Sequence, residues 1–216
     1  MNVGIYGGSF NPVHYGHVNV ARAAIADLAL DRLIVVPANV SPFKVGEGSE
    51  APQLWDRLEL VRAAFAGMEG VTVDDREIVR GGVSYAIDTV REIRAELPSE
   101  GRDFRLFFVI GEDSVEGLPK WKDYETLKGL VEFRAYPRTR ESSSEIRGLF
   151  EANGVALNPD EKVVAAVRAG VVRKNGFCPC RLQKLPEFFC PCDEFKTQLR
   201  DPDYHGFCHC RLYVKP

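Results

Sequence analysis

Short runs of β-branched and aromatic residues alternate along most of the chain with longer segments of helical periodicity. The runs that predict strands are 2–6, 33–37, 71–73, 105–110 and 131–136, and the segments that predict helices are 18–29, 53–67, 84–97, 121–129 and 144–152. Strands that alternate with helices favour a parallel sheet covered on both faces. The sequence therefore predicts an α/β fold, in which ligands bind beyond the carboxyl ends of the strands.

The first predicted strand leads directly into a glycine- and histidine-rich segment, Gly7-Gly8-Ser9-Phe10-Asn11-Pro12-Val13-His14-Tyr15-Gly16-His17. The two adjacent glycines leave room for a phosphate to approach the backbone, where a side chain would block it. His14 and His17 are three residues apart at the start of the next helix, so they can share one face. Because a helix N-terminus attracts anions and imidazoles can donate to phosphoryl oxygens, the segment predicts a phosphate site. The alternative is a glycine turn with two incidental histidines.

A second candidate phosphate site is the segment Ser142-Ser143-Ser144-Glu145-Ile146-Arg147. Ser142 and Glu145 have the spacing of a capping box, which predicts a helix N-terminus. The serine hydroxyls, the free N–H groups of the first turn and the Arg147 guanidinium could together hold a di- or triphosphate. Taken alone, the pattern is equally well explained by a helix cap.

The composition narrows the class of protein. A chain of 216 residues that is 45% hydrophobic and 27% charged is typical of a soluble globular protein. No apolar run is long enough to span a bilayer, and the N-terminus begins with a strand rather than a leader signal, so we expect a cytoplasmic protein with no membrane partner. The net charge of −3 gives no indication of nucleic-acid binding.

All six cysteines lie near the end of the chain, in three Cys-x-Cys pairs: Cys178 and Cys180, Cys190 and Cys192, and Cys208 and Cys210. A reducing compartment disfavours a framework of structural disulfides. Four thiolates suffice for an iron–sulfur cluster, and a leftover pair beside it would suggest a redox dithiol. Structural zinc remains an alternative, although zinc ribbons favour wider spacing between paired cysteines.

The segment before the cysteines contains the signals of a further helix N-terminus. Asn158 with Pro159 predicts an N-cap and first turn, and the helix should run to about Lys174 and stop at Asn175-Gly176. We therefore predict a boundary near residue 157, which separates a domain of residues 1–157 from a small, mainly helical module of residues 158–216.

The motifs of residues 1–150 resemble those of the nucleotidyltransferase superfamily that carries the His-x-Gly-His signature. Besides the glycine–histidine and serine-rich segments, the resemblance includes Ser41-Pro42-Phe43-Lys44, Ser84-Tyr85-Ala86-Ile87-Asp88-Thr89, Gly111-Glu112-Asp113-Ser114 and Leu118-Pro119-Lys120-Trp121. The Ser84 and Trp121 segments are most similar to the bacterial nicotinate-nucleotide adenylyltransferases. This implies a Rossmann-like fold and, with Mg²⁺, adenylyl transfer from ATP to nicotinate mononucleotide, which yields deamido-NAD and pyrophosphate.

The same resemblance implies roles for individual residues. Catalytic contacts with the phosphates are implied for His14, His17, Lys44 and Arg147. Nucleotide binding is implied for Gly7, Gly8, Ser9, Phe10, Ser84, Tyr85, Gly111, Asp113, Trp121, Ser142, Ser143 and Ser144. Trp121 would stack on the pyridine ring, or else serve as an ordinary packing residue. Two positions differ from the family pattern: Ala86 replaces a usual threonine and Phe43 a usual histidine.

The three cysteine pairs and their neighbours, including Asn175-Gly176-Phe177 and Gly206-Phe207, resemble the catalytic chain of ferredoxin–thioredoxin reductase. This implies that Cys178, Cys190, Cys192 and Cys208 bind a [4Fe–4S] cluster and that Cys180 and Cys210 form an active disulfide. His209 would aid proton transfer there, or act only as a spacer. Ferredoxin and thioredoxin-like proteins would be the partners.

The whole chain is thus predicted to fuse an adenylyltransferase with an iron–sulfur module. Two alternatives remain open. The transferase could carry a structural metal site, or the transferase fold could be a nucleotide-binding scaffold that regulates a ferredoxin-dependent disulfide reductase.

Overall fold

The computed structural model describes residues 1–44, 57–97, 104–137 and 142–216. Contacts divide the chain into two compact units. Unit 1 comprises Met1–Ser9, His17–Ser49 and Met68–Arg140, and unit 2 comprises Phe10–Gly16, Glu50–Gly67 and Glu141–Pro216. The chain therefore passes repeatedly from one unit to the other. This division follows contacts rather than sequence order, and the predicted boundary at residue 157 stays a prediction.

Unit 1 is built on a five-stranded parallel sheet. Its strands are β1 (Asn2–Gly8), β2 (Arg32–Pro37), β3 (Val71–Val73), β4 (Arg105–Gly111) and β5 (Glu132–Tyr136), in the order β3-β2-β1-β4-β5. Every neighbouring pair is parallel. The strand order reverses between β1 and β4, so ligands are expected beyond the carboxyl ends of these two strands. The predicted α/β parallel-sheet fold of Rossmann-like type is confirmed.

The helices in the described ranges are α1 (Tyr15–Asp27), α2 (Arg57–Phe65), α3 (Arg76–Arg80), α4 (Ala86–Glu96), α5 (Tyr124–Leu130), α6 (Ser143–Ala152), α7 (Glu161–Arg173) and α8 (Asp193–Arg200). Short 3-10 segments span Pro42–Lys44, Glu112–Lys120 and Pro186–Phe188. None of these helices is long and apolar enough to cross a bilayer.

The core of unit 1 lies between the sheet and helices α4 and α5. Five consecutive residues are buried in β2, from Leu33 to Pro37, and another five in β4, from Leu106 to Ile110. Continuous burial is expected of central parallel strands, whose two faces are both covered. The buried apolar residues of α4, chiefly Ile87, Val90 and Ile93, pack against this sheet.

Unit 2 contains α2, α6, α7 and α8 together with a small antiparallel sheet. The sheet strands are β6 (Ala156–Leu157), β7 (Gly206–Phe207) and β8 (Tyr213–Lys215), in the order β6-β8-β7. This sheet was not predicted, because strands of two or three residues carry little periodic signal.

Helix α7 ends as predicted, because Asn175 and Gly176 adopt left-handed conformations directly after it. The predicted N-cap, Asn158, was wrong. The carboxylate of Asp160 accepts bonds from the backbone N–H groups of Lys162 (2.9 Å) and Val163 (3.3 Å). Asn158 is buried instead, and its amide donates to the carbonyl of Arg211 at 2.8 Å.

Candidate active site

Three predicted site segments follow neighbouring strands of unit 1 at the same edge of the sheet. Gly8 ends β1, the 3-10 turn Pro42–Lys44 follows β2, and Gly111 ends β4 with exposed Asp113 just beyond it. Because parallel strands present their carboxyl ends together, these segments form the edge where ligands bind in this architecture. The Lys44 side chain lies outside the described residues, so its role stays a prediction.

The predicted phosphate segment is a strand–turn–helix connection. His14 immediately precedes α1, and His17 lies in its first turn with its ring centroid 6.3 Å from that of Tyr6. A Cβ at Gly7 would lie 3.1 Å from Cζ of Phe108, which is tighter than an ordinary contact, so glycine also suits the packing at this position. The structure therefore bears out the helix N-terminus on which the predicted phosphate contacts depend.

Phe10 has a structural role that the sequence did not predict. Its side chain is buried, and its ring packs edge-on against Phe65 at 6.3 Å. Its backbone is left-handed, with φ of 44°. The half-buried Ser9 precedes it. A nucleotide contact at Phe10 stays a prediction that can involve only its main chain.

The serine-rich segment begins α6 with the predicted capping box. The Ser142 N–H donates to the Glu145 carboxylate at 2.6 Å, and the Glu145 N–H donates to the Ser142 hydroxyl at 3.2 Å. The Ser143 hydroxyl donates to the carbonyl of Pro12 at 2.9 Å. Within unit 2, the first turn of α6 therefore contacts the Phe10–Gly16 part of the glycine–histidine segment.

Two further residues belong to this helix. Ser144 is exposed in its first turn. Arg147 is half-buried, and its Nε lies 3.5 Å from a carboxylate oxygen of Glu151. An anion that bound at the first turn of α6 would compete with this carboxylate for the guanidinium.

The Ser84–Tyr85 segment is supported by a buried polar network. The Ser84 hydroxyl accepts a bond from the Asn39 N–H at 2.8 Å and donates to the Glu77 carboxylate. Thr89 also donates to Glu77, and burial raises the pKa of that carboxyl. Glu77 was not predicted from sequence, because its only signal there is an acidic residue in a short helix. Ser84 therefore has a structural function, and its nucleotide contact stays a prediction.

Tyr85 immediately precedes α4, and Trp121 immediately follows the 3-10 segment Glu112–Lys120; both belong to unit 1. The Lys122 ammonium lies 4.5 Å from the ring centroid of Tyr85. Trp121 packs edge-on against Phe108 (5.7 Å) and Phe133 (6.1 Å). It also borders a shallow surface pocket lined by Pro119, Trp121, Asp123, Tyr124, Glu125 and Thr126. Trp121 thus packs against the core and still borders open space, as a ring-stacking residue would require.

The six cysteines are all free thiols. Cys180 is exposed and the other five are buried. A hydrogen bond donated by the Cys210 thiol lowers the pKa of Cys178 to about 6, and the Cys208 and Cys210 sulfurs are 3.6 Å apart. Burial, followed by electrostatic repulsion from Cys192, Cys208 and Cys178, raises the pKa of Cys190. Three separate chain segments therefore bring their thiols together.

A preformed metal site is not present in the described ranges, where no group of three or more His, Cys, Asp or Glu side chains is arranged to hold an ion. The disulfide predicted between Cys180 and Cys210 is not formed, and His209 is exposed. The donor set nevertheless has the chemistry of a soft-metal site, since buried thiols converge without disulfide partners. The ligand, disulfide and His209 assignments stay predictions.

Comparisons with known proteins identify a family model and relatives that match most of the chain. A model of the cytidylyltransferase-like family matches residues 5–175, which end just before the cysteine pairs. A probable nicotinate-nucleotide adenylyltransferase of Geobacter sp. (strain M21) is 43% identical over 159 residues, covering 73% of this chain and 68% of the relative. Another probable nicotinate-nucleotide adenylyltransferase, from Gemmatimonas aurantiaca, is 39% identical over 167 residues, covering 77% of this chain and 73% of the relative.

The fold has a counterpart among solved structures. A Vibrio parahaemolyticus protein, assigned to the same enzyme class as those relatives, superimposes with a TM-score of 0.54. At 22% identity it covers 70% of this chain and 88% of its own, and it therefore speaks for the fold alone. The sequence relatives and the family match together identify the chain as a member of the cytidylyltransferase-like family of nucleotidyltransferases, in the branch that holds the nicotinate-nucleotide adenylyltransferases.

Proposed function

We propose that this protein transfers the adenylyl group of ATP to nicotinate mononucleotide, which forms deamido-NAD and releases pyrophosphate. The observation that carries the proposal is the hydrogen bond from Ser143 to the carbonyl of Pro12. It joins the first turn of α6 to Pro12, which lies in the same segment of unit 2 as His14. The names of the relatives supply the acceptor.

The reaction needs positioning and charge stabilisation more than covalent chemistry. A phosphate oxygen of the acceptor forms a bond to the α-phosphorus of ATP, the bond to the β-phosphate oxygen breaks, and pyrophosphate leaves with the electron pair. His14 and His17 donate hydrogen bonds to oxygens whose charge grows in this transition state. Arg147 and the N–H groups at the start of α6 hold the β- and γ-phosphates.

Magnesium fits this arrangement as a companion of the nucleotide. Mg²⁺ keeps several waters and is usually held by substrate phosphates with one or two carboxylates. When bound, the ion would neutralise phosphate charge, while His14 and Arg147 orient the triphosphate of ATP.

Pyrophosphate release with different acceptors tests the substrate. Nicotinate mononucleotide, nicotinamide mononucleotide and phosphopantetheine should each be supplied with ATP and Mg²⁺, and the first should give the highest kcat/KM. Ala86 is the first residue of α4 and stands where the family usually has threonine. Ala86→Thr should therefore raise the preference for nicotinate over nicotinamide mononucleotide. A clear preference for phosphopantetheine would overturn the proposed acceptor.

Replacement of a histidine tests the chemistry. His17→Ala should lower kcat by about 10²- to 10³-fold, the usual cost of losing one preorganised donor to a developing negative charge. His205→Ala is the matched control, because this exposed histidine lies in unit 2 near the C-terminus. If His17→Ala left activity nearly unchanged, the proposed phosphate site would be rejected.

For the cysteine segments, we propose a thiol-based redox module, and the specific observation in its favour is the convergence of buried thiols beside one exposed cysteine. Cys178, Cys190, Cys192 and Cys208 would hold a [4Fe–4S] cluster, which would supply electrons singly when bound. Exposed Cys180 would attack a substrate disulfide, with Cys210 as its partner thiol and His209 as a nearby proton carrier. Ferredoxin and a thioredoxin-like protein would be the electron donor and acceptor.

Metal analysis tests this second proposal. Anaerobic purification should give about four iron and four sulfide per chain under the cluster assignment. Cys190→Ser should lose the metal, whereas Cys180→Ser should keep it, because only the first is a proposed ligand. Zinc without sulfide would refute the cluster and favour a transferase with a structural metal. Reductase activity with no adenylyl transfer would favour the regulatory scaffold.

A further inference from the structure

Tyr15, the residue between His14 and Gly16, packs against two phenylalanines that adjoin cysteines. Its ring centroid lies 6.0 Å from that of Phe177 and 6.0 Å from that of Phe189. The two phenylalanine rings meet edge-on at 5.3 Å. Phe177 directly precedes Cys178, and Phe189 directly precedes Cys190. All of these residues belong to unit 2.

Tyr15, Phe177 and Phe189 form an aromatic trio. Backbone hydrogen bonds of two cysteines hold the two phenylalanines of this trio together. Phe177 and Phe189 form an antiparallel bridge. The Cys178 N–H donates to the carbonyl of Phe188 at 2.8 Å, and the Cys190 N–H donates to the carbonyl of Gly176 at 2.9 Å. Because both donors are cysteine amides, any rearrangement of those cysteines would also displace the rings that contact Tyr15.

Helix α2 provides a second connection between the phosphate segment, which contains Phe10, and the first cysteine segment, which begins beside Gly176. Phe10 packs its ring against Phe65 of this helix. Gly176 contacts the same part of the chain, since a Cβ there would lie 3.5 Å from Cα of Ala64, and the Asn175 amide donates to the carbonyl of Ala66. The phosphate segment and the first cysteine segment thus share one support.

We propose that Tyr15 is a positioning residue through which the cysteine segments brace the phosphate-binding loop, so that ATP binding and order in those segments are thermodynamically coupled. The inference rests on the proposed function for the site of ATP. It adds that the cysteine segments are part of the structure that holds His14, whatever the cysteines themselves bind. Coupling of this kind is reciprocal: if the brace strengthens ATP binding, ATP must in turn stabilise the brace.

Binding of a non-hydrolysable ATP analogue, measured by calorimetry on the full chain, tests one direction of the coupling. Tyr15→Ala removes both ring contacts and should weaken binding roughly 5- to 150-fold, the range expected for two aromatic pairs. Tyr15→Phe keeps the ring and should bind within about twofold of the unaltered protein. Phe189→Ala should weaken binding, and adding it to Tyr15→Ala should have little further effect, because the contact is already lost.

Phe188 provides the matched control. It lies beside Phe189, but its ring packs under the guanidinium of Arg181 at 5.1 Å. Phe188→Ala should therefore leave analogue binding unchanged. If Phe188→Ala weakened binding as much as Phe189→Ala, the effect would reflect general loosening of the segment, and the proposed role of the trio would be rejected.

Hydrogen exchange tests the reverse direction without any substitution. Adding the analogue should slow amide exchange in residues 10–17 and also in residues 176–190, where the Cys178 and Cys190 amides form the bridge. Protection of 10–17 alone would refute the coupling and leave the proposed function intact. No binding and no protection at 10–17 would instead refute the proposed function.

Discussion

Gly176 offers a quantitative test of how tightly the cysteine segments are packed in unit 2. Its φ is +88°, a conformation that costs an L-residue about 1–2 kcal/mol. A Cβ would also lie 2.6 Å from Cε2 and 2.7 Å from Cζ of Phe189. Relief of that overlap must displace a buried ring, which costs about 1–3 kcal/mol in a well-packed core. Gly176→Ala should thus lower the free energy of unfolding by about 2–5 kcal/mol.

Gly154 separates the cost of the left-handed backbone from the cost of the overlap with Phe189. Its φ of +58° is also left-handed, but the nearest atom to its Cβ would be Cγ of Pro216 at 3.7 Å, an ordinary contact. Gly154→Ala should therefore cost only about 1–2 kcal/mol. Both substitutions restrict the unfolded chain equally, so that effect cancels in the comparison. The difference between the two variants measures the overlap with Phe189.

Urea unfolding, monitored by far-UV circular dichroism and extrapolated linearly to water, gives both free energies. The same Gly176→Ala protein should bind the ATP analogue more weakly, since the displaced ring of Phe189 contacts Tyr15. If the Gly176→Ala and Gly154→Ala variants lost the same free energy of unfolding to within about 0.5 kcal/mol, that result would show that the Phe189 ring moves aside at no cost. The close packing inferred for this turn would then be incorrect.

Three further substitutions test other contacts. Asp160→Ala removes the N-cap of α7 and should lower the free energy of unfolding by about 1 kcal/mol in urea titrations, whereas Asp160→Asn should retain most of it. Ser143→Ala should weaken ATP-analogue binding more than Ser143→Thr, because only Thr can still donate to Pro12; calorimetry would measure both. Glu77 has a raised pKa from burial, so its contribution to stability falls as pH rises from its ordinary value near 4.5 through the raised pKa. Thermal unfolding at several pH values should therefore show Glu77→Gln gaining stability relative to the unaltered protein as pH rises through that window.

The parallel sheet was predictable because its strands β2 and β4 are continuous apolar runs, and an apolar run of that kind can be read from the local sequence. The capping box at Ser142 was predictable for the same reason, since both partners lie within one turn. The strand order β3-β2-β1-β4-β5 was not, because it depends on contacts between segments that are far apart in the chain.

The N-cap of α7 illustrates how tertiary structure decides between equivalent local choices. Asn158 and Asp160 are both good capping residues. The backbone N–H of Asn158 donates to the carbonyl of Leu212, and its side-chain amide donates to Arg211. These bonds bury Asn158 beside β8, so Asp160 caps the helix. No local pattern distinguishes the two, and sequence alone therefore selected the wrong one.

The residues of the candidate active site were also only partly predictable from the sequence. The glycines, histidines and serines of the proposed phosphate site carry a chemical signature, and the sequence therefore pointed to them. Glu77 and Tyr15 were not, because neither has a role that its residue type or spacing reveals. Both act through neighbours, Glu77 through Ser84 and Tyr15 through Phe189, and such roles exist only once the chain has folded.

The join between the family-matched residues and the cysteine pairs is itself informative. Segments that move independently are usually connected by exposed, polar linkers with few contacts. Here the family match ends at residue 175, and the next two residues, Gly176 and Phe177, are buried. The left-handed turn at Asn175 and Gly176 directs the chain back onto α2 rather than away from it. The cysteine segments and residues 10–16 should therefore unfold in one cooperative step, and a separate low-stability transition of the cysteine segments in hydrogen exchange would contradict this reasoning.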